Sequence, residues 1–116
     1  MNHPNLANYS LVKLEIFVPI THLEHIAAAL HASGAGTSER YDSVLSYSLV
    51  KGRWRPLPGA NPYHGKIGQL CEADEYKVEV CCPVAKLAVT ITAIKAAHPY
   101  EEPVINVLPL IETGVE

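Results

Sequence analysis

The chain has 116 residues, 48% apolar and 18% charged, which is an ordinary composition for one globular domain. Its net charge is −3 and its Lys and Arg residues are scattered, so the basic stripe of a nucleic-acid surface is missing. No segment approaches the roughly 20 uninterrupted apolar residues of a membrane span, so we predict no membrane association. The first residues do not resemble a secretory signal, and an odd number of cysteines does not form a disulfide framework, so a cytoplasmic location is favoured.

A strand followed by a helix is predicted for the start of the chain. Apolar residues alternate with others over residues 12–18, which indicates a strand with one buried face, and Pro19 closes it. Thr21 and Glu24 have the spacing of a capping box at the start of a helix. Gly34 follows the helical apolar pattern and predicts the end of this helix, because a left-handed residue costs least there.

A second strand and a long irregular arm are predicted next. Tyrosine and β-branched residues alternate with others over residues 41–50, which favours a strand. Residues 51–70 form a proline- and glycine-rich arm, whose three prolines and four glycines exclude a helix or a central strand. Segments of this length without regular structure are uncommon in compact domains and are usually functional or interfacial.

The second half of the chain repeats the pattern of the first. Residues 77–82 are predicted as the third strand, and Lys-x-Glu-x-x-x-Pro recurs from residues 13–19 at an offset of 77 − 13 = 64. Pro83 is placed in the first turn of a second helix, which His98 and the following proline end. A last strand is predicted over residues 103–110, and its prolines suit an edge position. The predicted buried stripe of the helix is Val84, Leu87, Ala88, Ile91 and Ile94.

The resulting order predicts an α+β protein with a ferredoxin-like βαββαβ two-layer sandwich. We assign one domain to residues 11–111, with tails at residues 1–10 and 112–116. Two helices cover one face of four strands, and the bare face invites pairing with another copy, so a homo-oligomer is predicted. Trp54, between two arginines, and Phe17 are the predicted interface residues. Packing of the tryptophan on its own sheet is the alternative.

Several motifs, in this order, resemble one known type of domain. They are Gly34-Ala-Gly36, Tyr41-Asp42-Ser43, Arg55-Pro-Leu-Pro-Gly59-Ala-Asn-Pro62, Gly65-Lys-Ile-Gly68 and His98-Pro-Tyr-Glu-Glu102. Over residues 11–111 the chain resembles the inserted PII/CutA-like domain of the dinuclear-metal-centre hexameric proteins of the YqfO type. The resemblance implies a fold commonly assembled as trimers, here as a stand-alone regulatory or sensing module. It also implies that the two-metal site of full-length members, and any hydrolase activity, belong to the flanking domains.

The last of these motifs carries the side chains best suited to ligand binding. It combines a nitrogen ligand, a phenol and two carboxylates at a turn after a helix. Tyr100 and Arg55 are candidate contacts to a small polar ligand. The alternative is a cap, in which the histidine ends the helix and the carboxylates face water. Candidate ligands of a divalent metal ion, the cofactor that this pattern suggests, are His98, Glu101, Glu102 and His64.

The sequence favours a binding protein over an enzyme. No Ser-His-Asp or Cys-His arrangement emerges, so no catalytic residue is assigned. The main hypothesis is an oligomeric regulatory or sensing module, with a trimer expected, that binds a metal ion or a small ligand between subunits. One alternative is a protein–protein interaction module that acts on a regulated protein through the arm at 51–70. The other is a metal-dependent hydrolase, in which His98 and a neighbouring carboxylate would be acid and base.

Overall fold

The computed structural model describes residues 6–115 and confirms the predicted α+β, ferredoxin-like order of elements. The strands are β1 (Leu11–Pro19), β2 (Ser46–Trp54), β3 (Cys71–Pro83) and β4 (Ile105–Leu110), and the helices are α1 (Leu23–Ser33) and α2 (Leu87–Ala97). Of the predicted tails, residues 1–5 and 116 lie outside the described residues, while Leu6–Asn8 forms a 3-10 turn. Neither helix in the described part of the chain is long and apolar enough to cross a bilayer.

The four antiparallel strands lie in the order β2-β3-β1-β4, so the two strands that carry the repeated motif are neighbours at the centre. In this pairing Glu15 lies opposite Glu79, and Phe17 lies opposite Lys77. Strand β4 starts two residues later than predicted, which leaves Pro103 outside it, and it lies at an edge as predicted. Both helices pack on one face of the sheet, and we call the other face, which carries these four side chains, the open face.

The core lies between the helices and the sheet, and it follows the alternation of the two central strands. Every second residue of β1 from Val12 to Val18 is fully buried, which confirms the predicted period of two. In α2 the buried stripe differs slightly from the prediction, because Thr90 is buried and Ala88 is exposed. The helical residues that complete the core are Ile26, Leu30, Leu87, Ile91 and Ile94.

Both helices start differently from the prediction. The capping box is wrong, because a 3-10 turn (Ile20–His22) separates the first strand from α1 and the Thr21 hydroxyl contacts the neighbouring His22 ring at 2.8 Å. Pro83 likewise ends β3 and is followed by an equivalent 3-10 turn instead of entering a helix. The predicted end of α1 is confirmed, since Gly34 is left-handed with φ 94°.

Strand β2 begins five residues later than predicted and ends at Trp54, inside the segment predicted to be irregular. The preceding residues are held in a turn, in which the Val44 N–H donates to the Gly36 carbonyl (2.9 Å). The Gly36 N–H in turn donates to the Cys81 carbonyl of β3 (2.8 Å). Glycine is required at position 36, because φ is 70° and a Cβ there would overlap the Val44 carbonyl.

Cross-strand ion pairs extend β2 into the arm. Lys51 Nζ lies 2.6 Å from Asp74 Oδ1, and Arg53 Nε lies 3.3 Å from Glu72 Oε2. Strand β3 correspondingly starts at Cys71, six residues before the predicted start. The glycine and proline content of this segment predicted a loop. The acidic residues that pair with it lie about twenty residues further along the chain, so no local pattern indicates the strand. The irregular part of the arm is therefore residues 55–70.

Candidate functional site

The irregular part of the arm folds over one end of the open face and encloses a cleft of about 800 Å³. Phe17, Gly52 and Glu75 form its floor. Most of residues 54–64, and residues 100–102 of the turn after α2, form its walls. We call this space the arm cleft.

Hydrogen bonds hold the arm in this position. The Gly68 N–H donates to the Pro56 carbonyl (2.7 Å), which closes the arm on itself. The Trp54 indole N–H donates to the His64 carbonyl (3.2 Å). At the tip, the Asn61 N–H donates to Glu101 Oε1 (2.8 Å), which joins the arm to the turn after α2. The arm therefore forms a wall of the cleft and does not project from the domain.

The turn after α2 is positioned by a buried histidine. His98 is only 7% exposed, and its Nε2 lies 2.7 Å from the Phe17 carbonyl. Its Nδ1 accepts from the Tyr100 N–H (3.2 Å), so the neutral ring protonated at Nε2 satisfies both nitrogens. Burial lowers the pKa of His98, and the hydrogen bond to Phe17 opposes this shift. The ring thus joins the turn to β1 and directs Tyr100 into the cleft.

A buried carboxylate lies on the floor of the cleft. Glu75 is 5% exposed, and the Tyr100 hydroxyl donates to its Oε2 at 2.8 Å. Its Oε1 lies over Gly52, where a Cβ would overlap it. Burial, followed by the contact with Glu75, raises the pKa of Tyr100, so this phenol remains a neutral donor at physiological pH. Glu75 keeps acceptor capacity beyond this single bond, since a carboxylate offers about four lone-pair positions.

Aromatic rings line one side of the cleft without interruption. The Tyr100 ring centroid lies 5.8 Å from that of Trp54 and 5.9 Å from that of Tyr63. Behind them, His64 packs against Trp54 (5.9 Å) and His98 against Tyr100 (4.9 Å). These separations are typical of tilted and edge-to-face aromatic contacts. The wall is therefore a continuous apolar surface beside the Glu75 carboxylate.

The predicted metal ligands do not gather into a metal centre. Within residues 6–115, no group of three or more His, Cys, Asp or Glu side chains is arranged to hold a metal ion. The His98 ring turns inward to bond two backbone groups, and His64 packs on the tryptophan. Glu101 binds the arm backbone, and Glu102 is exposed at the rim. Two of the four suggested metal ligands, His98 and Glu101, thus hold the turn and the arm in place instead.

The other four predicted site residues all lie in the arm cleft. Tyr100 and Arg55, the candidate ligand contacts, both line the arm cleft. Trp54 and Phe17, the predicted interface residues, lie in its wall and floor, and the tryptophan packs within its own chain. A contact of these two with a second copy stays a prediction.

Sequence reasoning missed Glu75 and Tyr63. Extending the Lys77/Glu79 alternation backwards by two residues would have placed Glu75 on the open face beside Phe17. No local signal, however, shows that Tyr100 reaches it from 25 residues further on. Tyr63 lay in a segment without periodicity, so its contact with Tyr100 was not visible from the sequence.

The strand order and the placement of both helices define a CutA/PII-like domain of the ferredoxin-like fold. The periplasmic divalent cation tolerance protein CutA from Archaeoglobus fulgidus has this fold, with a TM-score of 0.64 and 21% identity over 89% of this chain and 86% of that chain. The divalent cation tolerance protein from Thermus thermophilus gives 0.65 and 21%, over 90% and 87%. At these identities the likeness establishes the fold alone.

More similar sequences match one part of longer proteins. A Bacillus cereus protein related to NIF3 is 33% identical, with a TM-score of 0.79 over 92% of this chain and 27% of that chain. Proteins named GTP cyclohydrolase 1 type 2 homolog are 36% identical over 105 residues in Halalkalibacterium halodurans and 38% over 109 residues in Mycobacterium leprae. These alignments cover 90% and 93% of the chain but only 28% of each relative. No family model matches the chain. Over about nine-tenths of its length the chain, itself a CutA/PII-like domain, is similar to a part of these longer NIF3/YqfO-type proteins, which confirms the resemblance.

Proposed function

We propose that this domain is a sensing module that binds a small organic ligand in the arm cleft. The observation that supports this most is the Glu75 carboxylate, 5% exposed on the floor of a cleft of about 800 Å³. Clefts of this size, largely apolar and with a few fixed polar groups, are typical small-molecule sites. The arm is bonded to the cleft through Asn61, so occupancy of the cleft would change the position or mobility of the arm.

An organic ligand fits the geometry better than a metal ion. Both His98 nitrogens bond backbone groups, and the two carboxylates of the turn point to the arm and to solvent. The activity in the name of the longer relatives is not our proposal, because the chain spans 28% of their length.

We also propose that the domain works as a homo-oligomer, with a trimer as the expected state. Large apolar side chains lie exposed on strand β2, including Tyr47 (54%) and Leu49 (61%), and such surface favours burial by another chain. Light scattering should give about three times the chain mass of 12.6 kDa. A stable particle of 12.6 kDa would contradict the oligomer.

A protein-interaction role through the arm is the second candidate. Leu57 (59%), Ile67 (46%) and Leu70 (66%) are exposed on the arm, and exposed apolar side chains favour docking of a partner protein. A partner recovered in a pull-down should be lost with Leu57→Ser and retained with Val89→Ser, whose parent side chain is similarly exposed on α2. Equal recovery with both variants would remove this candidate.

A thermal-shift panel tests the proposed function. Nucleotides, amino acids, polyamines and divalent metals are each added to the wild type and to two variants. Ala60→Phe fills the cleft, and Ala96→Phe, at an exposed position of α2, is the control. A ligand at 100 times its Kd adds about 2.7 kcal/mol, or roughly 10 °C for a chain of this size. We expect an organic ligand to raise the Tm of the wild type and of Ala96→Phe only. A shift that persists in Ala60→Phe, or no shift with any organic compound, would contradict the proposal.

A further inference from the structure

The charge of Glu75 has no counterpart in the described part of the chain. Within residues 6–115 the ion pairs join other groups, and neither lysine nor arginine reaches this carboxylate. The neutral Tyr100 hydroxyl donates a hydrogen bond to it. Burial of a carboxylate costs free energy unless a cation or several hydrogen bonds compensate it. A buried, uncompensated carboxylate on the floor of a cleft is therefore suited to a positively charged ligand.

The other charges around the arm cleft favour a cation as well. Glu101 and Glu102 add two carboxylates at the wall and rim. Arg53 is paired with Glu72 at 3.3 Å, which leaves Arg55, exposed at the mouth, as the unpaired cationic side chain of the lining in residues 6–115. Three carboxylates thus face one guanidinium. Attraction of a cation into the cleft follows from this balance.

The aromatic wall adds a preference for shape. The Trp54, Tyr100 and Tyr63 rings form a continuous surface beside the carboxylate. A flat apolar body packs well on such a surface, and a cation near ring faces gains further attraction. The Glu75 carboxylate lies directly over Gly52, where the absence of a side chain gives it room on the cleft floor. Its acceptor positions beyond the Tyr100 bond suit a planar group with N–H donors.

We infer that the ligand of the arm cleft is a planar organic cation, of the amidinium or guanidinium class. Its charged N–H groups bind the Glu75 carboxylate, and its apolar body lies against Trp54, Tyr63 and Tyr100. This inference deepens the proposed function and rests on it, because it specifies the chemistry of the same cleft.

Calorimetry with three matched probes tests the inference on the full chain. Benzamidine is a planar cation, benzamide is its neutral analogue, and benzoate is an anion of similar shape. Each is titrated into the wild type, Glu75→Gln and Glu24→Gln, the last being the control that removes an exposed carboxylate on α1, outside the cleft lining. We expect benzamidine to bind the wild type at least ~10-fold more tightly than benzamide or benzoate, because a charge-assisted bidentate contact is lost in both. Glu75→Gln should lose this preference, and Glu24→Gln should keep it within about threefold.

The outcomes separate this inference from the proposed function. If Glu75→Gln does not fold, the comparison of the three probes on the wild type still decides. Equal binding of benzamide and benzamidine overturns the cationic class while leaving a small-molecule cleft. Absence of binding by all three probes also overturns the inference. A lower particle mass in Glu75→Gln would then indicate that a cation from a sister chain neutralises Glu75. The Ala60→Phe panel reports separately on whether the cleft binds any organic ligand.

Discussion

The two halves of the domain match until their helices end and then differ. Helix α1 begins at Leu23 and α2 at Leu87, and both offsets, 87 − 23 at the start and 97 − 33 at the end, equal 64 residues. After α1 the chain turns through Gly34, which is left-handed with φ 94°. At the equivalent position after α2 stands His98, which is extended with ψ 134° and buried. The arm cleft is built where the second half departs from the repeat.

The carboxylates of the open face show the same contrast. The repeated motif places Lys13 against Glu79 (2.5 Å) and Lys77 against Glu15 (3.5 Å), so each carboxylate of the repeat has a cation. Glu75 lies outside the motif and has no ion pair within residues 6–115. The repeat therefore accounts for the sheet, while the departures from it supply the groups that suit a ligand.

Removal of the histidine that holds the turn should have the largest effect on stability. His98→Ala leaves the partly buried Phe17 carbonyl and the Tyr100 N–H without their partners, at about 1–3 kcal/mol for each unsatisfied group. We expect the free energy of unfolding, measured in urea, to fall by roughly 2–4 kcal/mol. His25→Ala, on the exposed side of α1, should change little. Similar losses in both variants would show that the His98 contacts do not hold the turn.

Addition of one methyl group at Gly52 should disturb the cleft floor. A Cβ at this position overlaps the Glu75 carboxylate, so Gly52→Ala must displace the side chain or the strand, at about 1–3 kcal/mol. Ser48→Ala, an exposed position on the same strand, is the control. Chemical denaturation should show the loss in Gly52→Ala only. Unchanged stability would mean that Glu75 is not held over this glycine.

The stability of the domain should fall on mild acidification because of His98. Burial holds the folded-state pKa of this imidazole below its usual 6.5, so the unfolded chain binds the proton first. The stability that the neutral His98 ring contributes is fully present above about pH 6.5 and is lost as the pH falls through the folded-state pKa. Urea titrations between pH 7.5 and 5 should show a smaller decrease for His98→Asn than for the wild type. An equal decrease in the free energy of unfolding for both proteins would show that His98 does not cause the pH dependence.

Neutralisation of the ion pairs of the repeat should have the smallest effect. Lys77→Met removes contacts between side chains that are partly exposed to water, where ion pairs contribute little to stability. The melting temperature should change less than in Gly52→Ala, and binding of benzamidine should be unaltered. Loss of benzamidine binding in Lys77→Met would contradict this, because the ion pairs of the repeat would then take part in binding at the cleft.

The sequence predicted the central elements well because their signals are local. The alternation of β1 and the end of α1 at Gly34 follow from single strands and single turns. The predicted bounds of β2 were wrong because its pairing with the acidic part of β3 depends on a partner about twenty residues away. The cleft residues Tyr100, Trp54 and Arg55 were found individually, but their shared location depends on how the arm folds back. Glu75 contacts Gly52 of β2 and Tyr100 of the turn after α2, and contacts with such distant segments leave no periodic signal.

Amide and indole NMR shifts of the ¹⁵N-labelled protein test the central claim most directly. The chain has a single tryptophan, so the indole N–H of Trp54, which donates to the arm, gives one resolvable signal in the cleft wall. Any organic ligand that raises the Tm should shift this signal and the Asn61 amide, while amides of the repeated Lys-x-Glu motif remain in place. A stabilising ligand that leaves both signals unmoved and shifts amides elsewhere would contradict a binding site between the arm and the turn.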